Sequence, residues 1–88
     1  MATTLDEVQT VLGKHIESEI LLRRAKLLPE EDLFAAGFDS LSLSRVLVFV
    51  EERFGVTIPD EDVVVDEVST LATMARFVHD RIAKKAGA

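Results

Sequence analysis

Apolar residues in the first quarter of the chain recur at helical spacing, with Leu5, Val8, Leu12, Ile16 and Ile20 along one face. Thr4 and Glu7 stand just ahead of that stripe at capping-box spacing, where a hydroxyl and a carboxylate satisfy the free N–H groups of a helix start. Arg23, Arg24 and Lys26 suit the negative pole of a helix dipole, so the pattern predicts a first helix over about 5–24. The following stretch, A-K-L-L-P-E-E-D-L-F-A-A-G-F, has no sustained helical period. Pro29 blocks continuation from Leu28, and Asp32 to Ala36 has the makings of a single turn closed by Gly37. A loop this long in a small chain is unusual. Its apolar anchors, Leu27, Leu28, Leu33, Phe34 and Phe38, predict that it is packed down.

A second helix is expected over about 39–54, with Asp39 as its cap, Ser40 at the first helical position and Gly55 as the stop. Leu43, Val46, Leu47, Val50 and Phe54 form its core stripe. Leu41, Val48 and Phe49 fall off that stripe, which makes them a partner surface or tolerated exposed residues. After V-T-I, a short third helix is expected over about 59–66, opened by Pro59 with acids behind it. Val63, Val64 and Val65 weaken it, because β-branched side chains are stiff in a helix. Ser69 or Thr70 caps a last helix over about 70–84, with Leu71, Met74, Ala75, Val78 and Ile82 as its stripe and Lys84 and Lys85 at its end. The prediction is all-α, one domain over 1–88, without internal repeats or low-complexity segments.

Composition narrows the picture. The 88 residues are 48% hydrophobic, with five Phe and neither Tyr nor Trp, so a modest core of Leu, Val, Ile and Ala is expected. The absence of cysteine removes disulfides, thiolate metal sites and a thiol nucleophile of the chain's own. The opening M-A-T-T-L-D-E-V is acidic and amphipathic rather than a basic-then-apolar leader. No apolar run is long enough to span a membrane, and a cytoplasmic monomer is the expectation. The net charge of −6 argues against nucleic acid, which calls for a basic footprint. The negative charge centres on residues 39–68, with eight acids against two bases, whereas residues 69–88 carry one acid and four bases. Such a field steers basic partners; its plain alternative is solubility.

The segment G-F-D-S-L, Gly37 to Leu41, raises a chemical question: why a serine stands at the head of an apolar helix. A hydrolase elbow would read Gly-x-Ser-x-Gly after a strand; here no strand precedes, Ser42 stands where the second glycine should be, and neither His15 nor His79 is placed beside Ser40. As a plain helix residue, Ser40 would face outward behind the Asp39 cap. The acidic run D-E-D-V-V-V-D-E lacks the turn glycine of a calcium loop and has valines at ligand positions, so it reads as a solvated face.

G-F-D-S-L, the apolar helix ending E-E-R-F-G, and V-T-I-P-D-E just beyond it together resemble the acyl carrier protein family, over about Leu33 to Val78. The resemblance implies a four-helix bundle of acyl-carrier type, with three longer helices, a short third one and a long first loop. It implies a covalent 4′-phosphopantetheine on Ser40, flanked by Asp39 and Leu41, and no catalysis by the chain itself. A separate phosphopantetheinyl transferase would supply base and magnesium and take the arm from coenzyme A. The arm would hold an acyl or aminoacyl intermediate as a thioester, so that a cysteine-free chain borrows its thiol. Partner enzymes, an acyl- or aminoacyl-loading ligase and downstream acyl-processing enzymes, would dock on Leu41, Ser44, Arg45 and Val48, with Glu51 and Asp60 adding charge. Ser42 and Arg45 occupy places where carriers of fatty-acid synthesis usually show acids. That departure points to a specialised pathway, of aminoacyl, peptidyl or polyketide type. The reading of a different class is a helical adaptor, never modified, that works by docking alone; a serine hydrolase is a distant third.

Overall fold

The computed structural model describes residues 3–22 and 24–87 and is helical: α1 spans Leu5–His15, α2 Ser40–Phe54 and α3 Leu71–Gly87, with no strand among the described residues. α1 begins as its sequence requires. Thr4 is extended (φ −86°, ψ 160°), and its Oγ1 accepts from the Glu7 amide at 3.1 Å. The expected run to residue 24 does not occur. From Ile16 to Ile20 the ladder widens to a π turn, with the Leu21 amide donating to the Ile16 carbonyl at 2.8 Å. Ser18 Oγ donates to the Lys14 carbonyl at 2.7 Å, a back-bond that loosens a helix. Leu22 then takes a left-handed φ of 52°, which ends the helical path. The wide turn keeps Ile16 buried and lays Ile20 and Leu21 against the core. Arg24 and Lys26 consequently lie beyond the helix, and Lys14 and His15 occupy the last turn of α1; Arg23, expected near the same pole, lies outside the described residues.

The loop is packed down as its apolar anchors predict, with Leu27, Leu33 and Phe38 buried, although Leu28 is 61% and Phe34 39% exposed. Its backbone groups find partners at the start of α3. The Leu33 amide donates to the Ser69 carbonyl at 2.8 Å, and the Ala72 amide donates to the Pro29 carbonyl at 2.9 Å. Asp32 and Thr70 form an isolated antiparallel bridge. Glu17 of the π turn reaches back, its Oε2 accepting from the Leu27 amide at 2.6 Å. The expected turn over 32–36 forms: Asp32 Oδ1 accepts from the amides of Phe34 (3.0 Å) and Ala35 (3.3 Å), and Gly37 closes it at φ 108°.

α2 stops at Gly55 (φ 70°, ψ 24°), whose amide donates to the Glu51 carbonyl at 2.9 Å and whose own carbonyl accepts from Lys85 Nζ of α3. The short third helix expected over 59–66 resolves instead into two single 3-10 turns, Asp60–Asp62 and Val65–Glu67, with Val63 and Val64 extended between them. The stiffness of the three valines accounts for the break, as does the presence of five carboxylates in so short a span. Pro59 precedes the first turn in extended conformation (φ −64°, ψ 145°) rather than opening a helix. Arg81 of α3 ties that turn down through Asp62 at 3.0 Å. Thr70 and Thr73 cap α3 reciprocally, each hydroxyl accepting from the other's amide, at 3.2 and 3.3 Å. α3 runs past the expected end near 84, to Gly87.

The core is drawn from all three helices: Val8, Leu12 and Ile16 of α1, Val46, Leu47 and Val50 of α2, and Leu71, Met74, Ala75 and Val78 of α3. Phe77, outside the expected α3 stripe, is also buried. α1 meets α3 closely at Gly13, where a Cβ would stand 3.1 Å from Leu71 Cδ2. Glu17→Ala removes the acceptor of the Leu27 amide and is expected to lower stability by about 1–2 kcal/mol in equilibrium urea unfolding. Limited proteolysis of this variant is expected to cut the loop ahead of Pro29 sooner than in the wild type.

Candidate functional site

Ser40 opens α2, and its position follows from what precedes it. The turn closed by Gly37 returns the chain so that the Phe38 amide donates to the Leu33 carbonyl at 2.9 Å, with the Phe38 ring buried. Asp39 is then extended (φ −127°, ψ −173°) and caps the helix. Its Oδ1 accepts from both the amide and the hydroxyl of Ser42, each at 2.9 Å. Those bonds hold the Asp39 carboxyl below the ordinary aspartate value, the Ser42 amide being the largest cause and the Ser42 hydroxyl the next. Ser40 itself is exposed, and among the described residues its hydroxyl makes no hydrogen bond. The side chain that carries oxygen chemistry is thus free, while its two neighbours on the cap are committed to holding the helix start.

Neither histidine hydrogen-bonds Ser40 among the described residues. His15 stacks on Phe49 with ring centroids 3.8 Å apart and planes at 9°. Burial lowers its pKa below 6.5, opposed by the charge of Glu19. Phe49, expected off the core with Leu41 and Val48, is instead half-buried against it, and the stack with His15 is the reason. The helix period brings Leu41, Ser44, Arg45, Val48 and Glu51 to one exposed face of α2, away from the buried Val46 and Val50. Leu41 is 64% and Val48 55% exposed. Glu51 Oε1 accepts from the Thr57 hydroxyl at 3.2 Å. Asp60 is exposed but lies past the end of α2, in the first 3-10 turn, and does not join that face.

The α2 face borders an open groove of about 450 Å³ against α1, lined by Ser44, Arg45, Val48, Phe49 and Glu52 on one side and by His15 on the other. Its two acidic members, Glu19 and Glu52, and its floor of stacked rings were not found from sequence. The signal available was His15 standing next to the buried Ile16 of the α1 stripe. Among the described residues no cluster of His, Asp and Glu could hold a metal, and no helix is long and apolar enough to cross a membrane.

The site is an exposed serine on the first turn of a capped, apolar helix in an all-α fold. Residues 3–78 match the family described as Phosphopantetheine attachment site, and the chain belongs to the acyl carrier protein family. Such proteins bear 4′-phosphopantetheine covalently and are not enzymes. The chain is 35% identical over 79 residues to an acyl carrier protein of Acidothermus cellulolyticus, covering 89% of this chain and 88% of that one. It is 35% identical over 63 residues to a meromycolate extension acyl carrier protein of Mycolicibacterium smegmatis (70% of this chain, 64% of that one). The match to the protein of the same name from Mycobacterium leprae is 33% over 63 residues (70% and 55%). The chain therefore matches less than two thirds of the length of either mycobacterial relative.

Asp39→Ala is expected to lower the melting temperature at neutral pH by removing the α2 cap. The pH dependence has a definite sign. Because the folded-state pKa of Asp39 is depressed, its contribution is complete above the ordinary value of 3.8 and is lost as the pH falls through the folded value. The difference in melting temperature between wild type and variant should thus close in strong acid. His15, also depressed, loses its contribution as the pH falls below 6.5 in both proteins, so the comparison isolates Asp39.

Proposed function

We propose that the chain is a non-catalytic carrier which holds an acyl intermediate as a thioester on a 4′-phosphopantetheine attached at Ser40, and presents it to successive enzymes of a biosynthetic pathway. The observation that carries this reading is the Ser40 hydroxyl: exposed, without a hydrogen bond among the described residues, and fixed at the first position of α2. A hydroxyl meant for catalysis would need a base from its own chain; one meant for modification must instead be accessible to another enzyme's base. A phosphopantetheinyl transferase would supply that base to take the serine proton; with magnesium, the serine oxygen would then attack the phosphopantetheine phosphorus of coenzyme A, breaking its pyrophosphate bond and releasing adenosine 3′,5′-bisphosphate. The arm's terminal thiol supplies the thioester chemistry that a chain with no cysteine lacks.

The residues around Ser40 fit such a group. The start of α2 favours an anion through its dipole and its N–H groups, and Asp39 fixes that start without touching Ser40 Oγ. Leu41 and Val48 offer apolar contact on the face that a visiting enzyme would meet, with Ser44, Arg45 and Glu51 around them; Asp60 adds charge from beyond the helix. Contacts of this small kind give brief visits, which suits a carrier that must leave each enzyme in turn. Tethering the cargo raises its effective concentration at each active site.

The names of the relatives favour an acyl chain under extension over an aminoacyl or peptidyl cargo. Ser42 and Arg45, neither of them acidic, favour a specialised pathway over housekeeping fatty-acid synthesis, because they make the head of α2 less negative than the rest of the domain. A coenzyme A-dependent loading step supports a cytoplasmic setting, and one carrier domain working as a monomer suffices for it.

Intact mass before and after incubation with coenzyme A, magnesium and a broad-specificity phosphopantetheinyl transferase tests the attachment. Wild type is expected to gain one phosphopantetheine and Ser40→Ala none; no gain in a folded wild type would leave an unmodified adaptor as the better account. Val48→Asp is expected to lower kcat/KM for the transferase by about tenfold, the loss of one apolar anchor, with an unchanged melting temperature. A collapse in melting temperature would instead assign Val48 to the core.

A further inference from the structure

The face of α1 turned away from α2 borders a second groove, of about 490 Å³, between that helix and the packed loop. No residue of α2 lines it. Its floor is apolar and made by Gly13, Leu27 and Leu71, all buried. At Gly13 the floor is backbone closed over by Leu71, whose Cδ2 would lie 3.1 Å from a Cβ there. Leu28 stands at the lip, 61% exposed, and Leu22 of the same loop is 77% exposed. Lys14, Arg24 and Lys26 line the same groove, and all three are exposed.

These three cations stand together on a chain that is acidic as a whole. It carries 16 acids against 10 bases, yet among the described residues Lys14, Arg24 and Lys26 make no ion pair. Arg81, by contrast, is paired with Asp62 at 3.0 Å. The one acid lining the groove, Glu17, is committed to the Leu27 amide at 2.6 Å. An apolar floor ringed by uncommitted positive charge, on a protein of net charge −6, is complementary to a ligand that is apolar at one point and acidic around it.

We propose that this groove docks an acidic amphipathic segment of a partner protein, with an apolar side chain entering over Gly13 and carboxylates reaching Lys14, Arg24 and Lys26. The groove is concave, about 490 Å³ in volume, whereas a bilayer presents a flat surface. A partner held here leaves Ser40 and the Leu41–Val48 face open, so the carrier can be tethered at one surface while it is served at the other. This surface is independent of what Ser40 carries.

The test is a titration of the nitrogen-15-labelled 88-residue chain with a short synthetic helix of leucine and glutamate, followed by amide chemical shifts. A leucine–lysine helix of the same pattern and phosphatidylglycerol vesicles serve as comparisons. Shifts are expected at Gly13, Lys14, Leu27 and Leu28 and not along Ser40–Phe54, with weaker binding at high salt. Combined Lys14→Glu, Arg24→Glu and Lys26→Glu is expected to weaken the glutamate helix by about tenfold or more and to admit the lysine helix, at an unchanged melting temperature. Leu28→Ser, a change at an exposed position, should weaken binding without reversing this preference. Shifts centred on α2, equal affinity for wild type and the charge-reversed protein, or engagement of the three cations by vesicles but not by the glutamate helix would each overturn the proposal.

Discussion

The position of Ser40 depends on a short piece of backbone pairing between the loop and the start of α3. A loop that long carries many amide and carbonyl groups, and burying Leu27, Leu33 and Phe38 brings some of those groups out of water. The bonds from Leu33 to Ser69 and from Ala72 to Pro29 satisfy them at the point where α3 begins. Thr70 has a double duty there, bridging to Asp32 and capping α3 through Thr73. With the loop clamped at this level, the turn over 32–37 can deliver Phe38 to the core and Asp39 to the helix cap. The exposed serine is thus the last link in a chain of buried commitments.

The charge of the domain is arranged along the same division. Acids crowd the end of α2 and the two 3-10 turns, and Arg81 reaches across from α3 to hold one of them, Asp62, at 3.0 Å. That pair is partly exposed and contributes on the order of 0–1 kcal/mol, so its role is to position the turn more than to stabilise the fold. Three exposed cations, Lys14, Arg24 and Lys26, line the groove on the other side of α1. A small domain has few surfaces to assign, and here α1 separates two of opposite character.

Much of this was legible in the sequence wherever a single residue type carries a backbone requirement. Asp39 as cap, Gly55 as stop, Thr4 as the first cap and the turn from Asp32 to Gly37 all follow from what those side chains do locally. The exposed Leu41 and Val48 followed from period alone. What could not be read were the places where a tertiary contact overrides the local pattern. Ile20 continues the α1 stripe in sequence, but Ser18 and Glu17 divert the backbone toward the loop, and the helix ends in a π turn. Phe49 looked surplus because its partner, His15, lies on another helix. The third helix failed because Val63–Val65 and the surrounding carboxylates each weaken it, and packing of Val63 and Val68 needs only two single turns. Gly13 gave no sign in sequence that α1 and α3 meet there.

Gly37 holds a different kind of consequence. Its φ of 108° is one that side-chain-bearing residues rarely adopt, yet a Cβ built there would meet nothing within 4 Å. At Gly13 room and rigidity cannot be separated, because a Cβ there would stand 3.1 Å from Leu71 Cδ2. Beside Gly37 the two come apart. Three positions ahead of Ser40 the chain thus demands glycine for its torsion and not for its room: a side chain would find space there and a backbone that does not suit it.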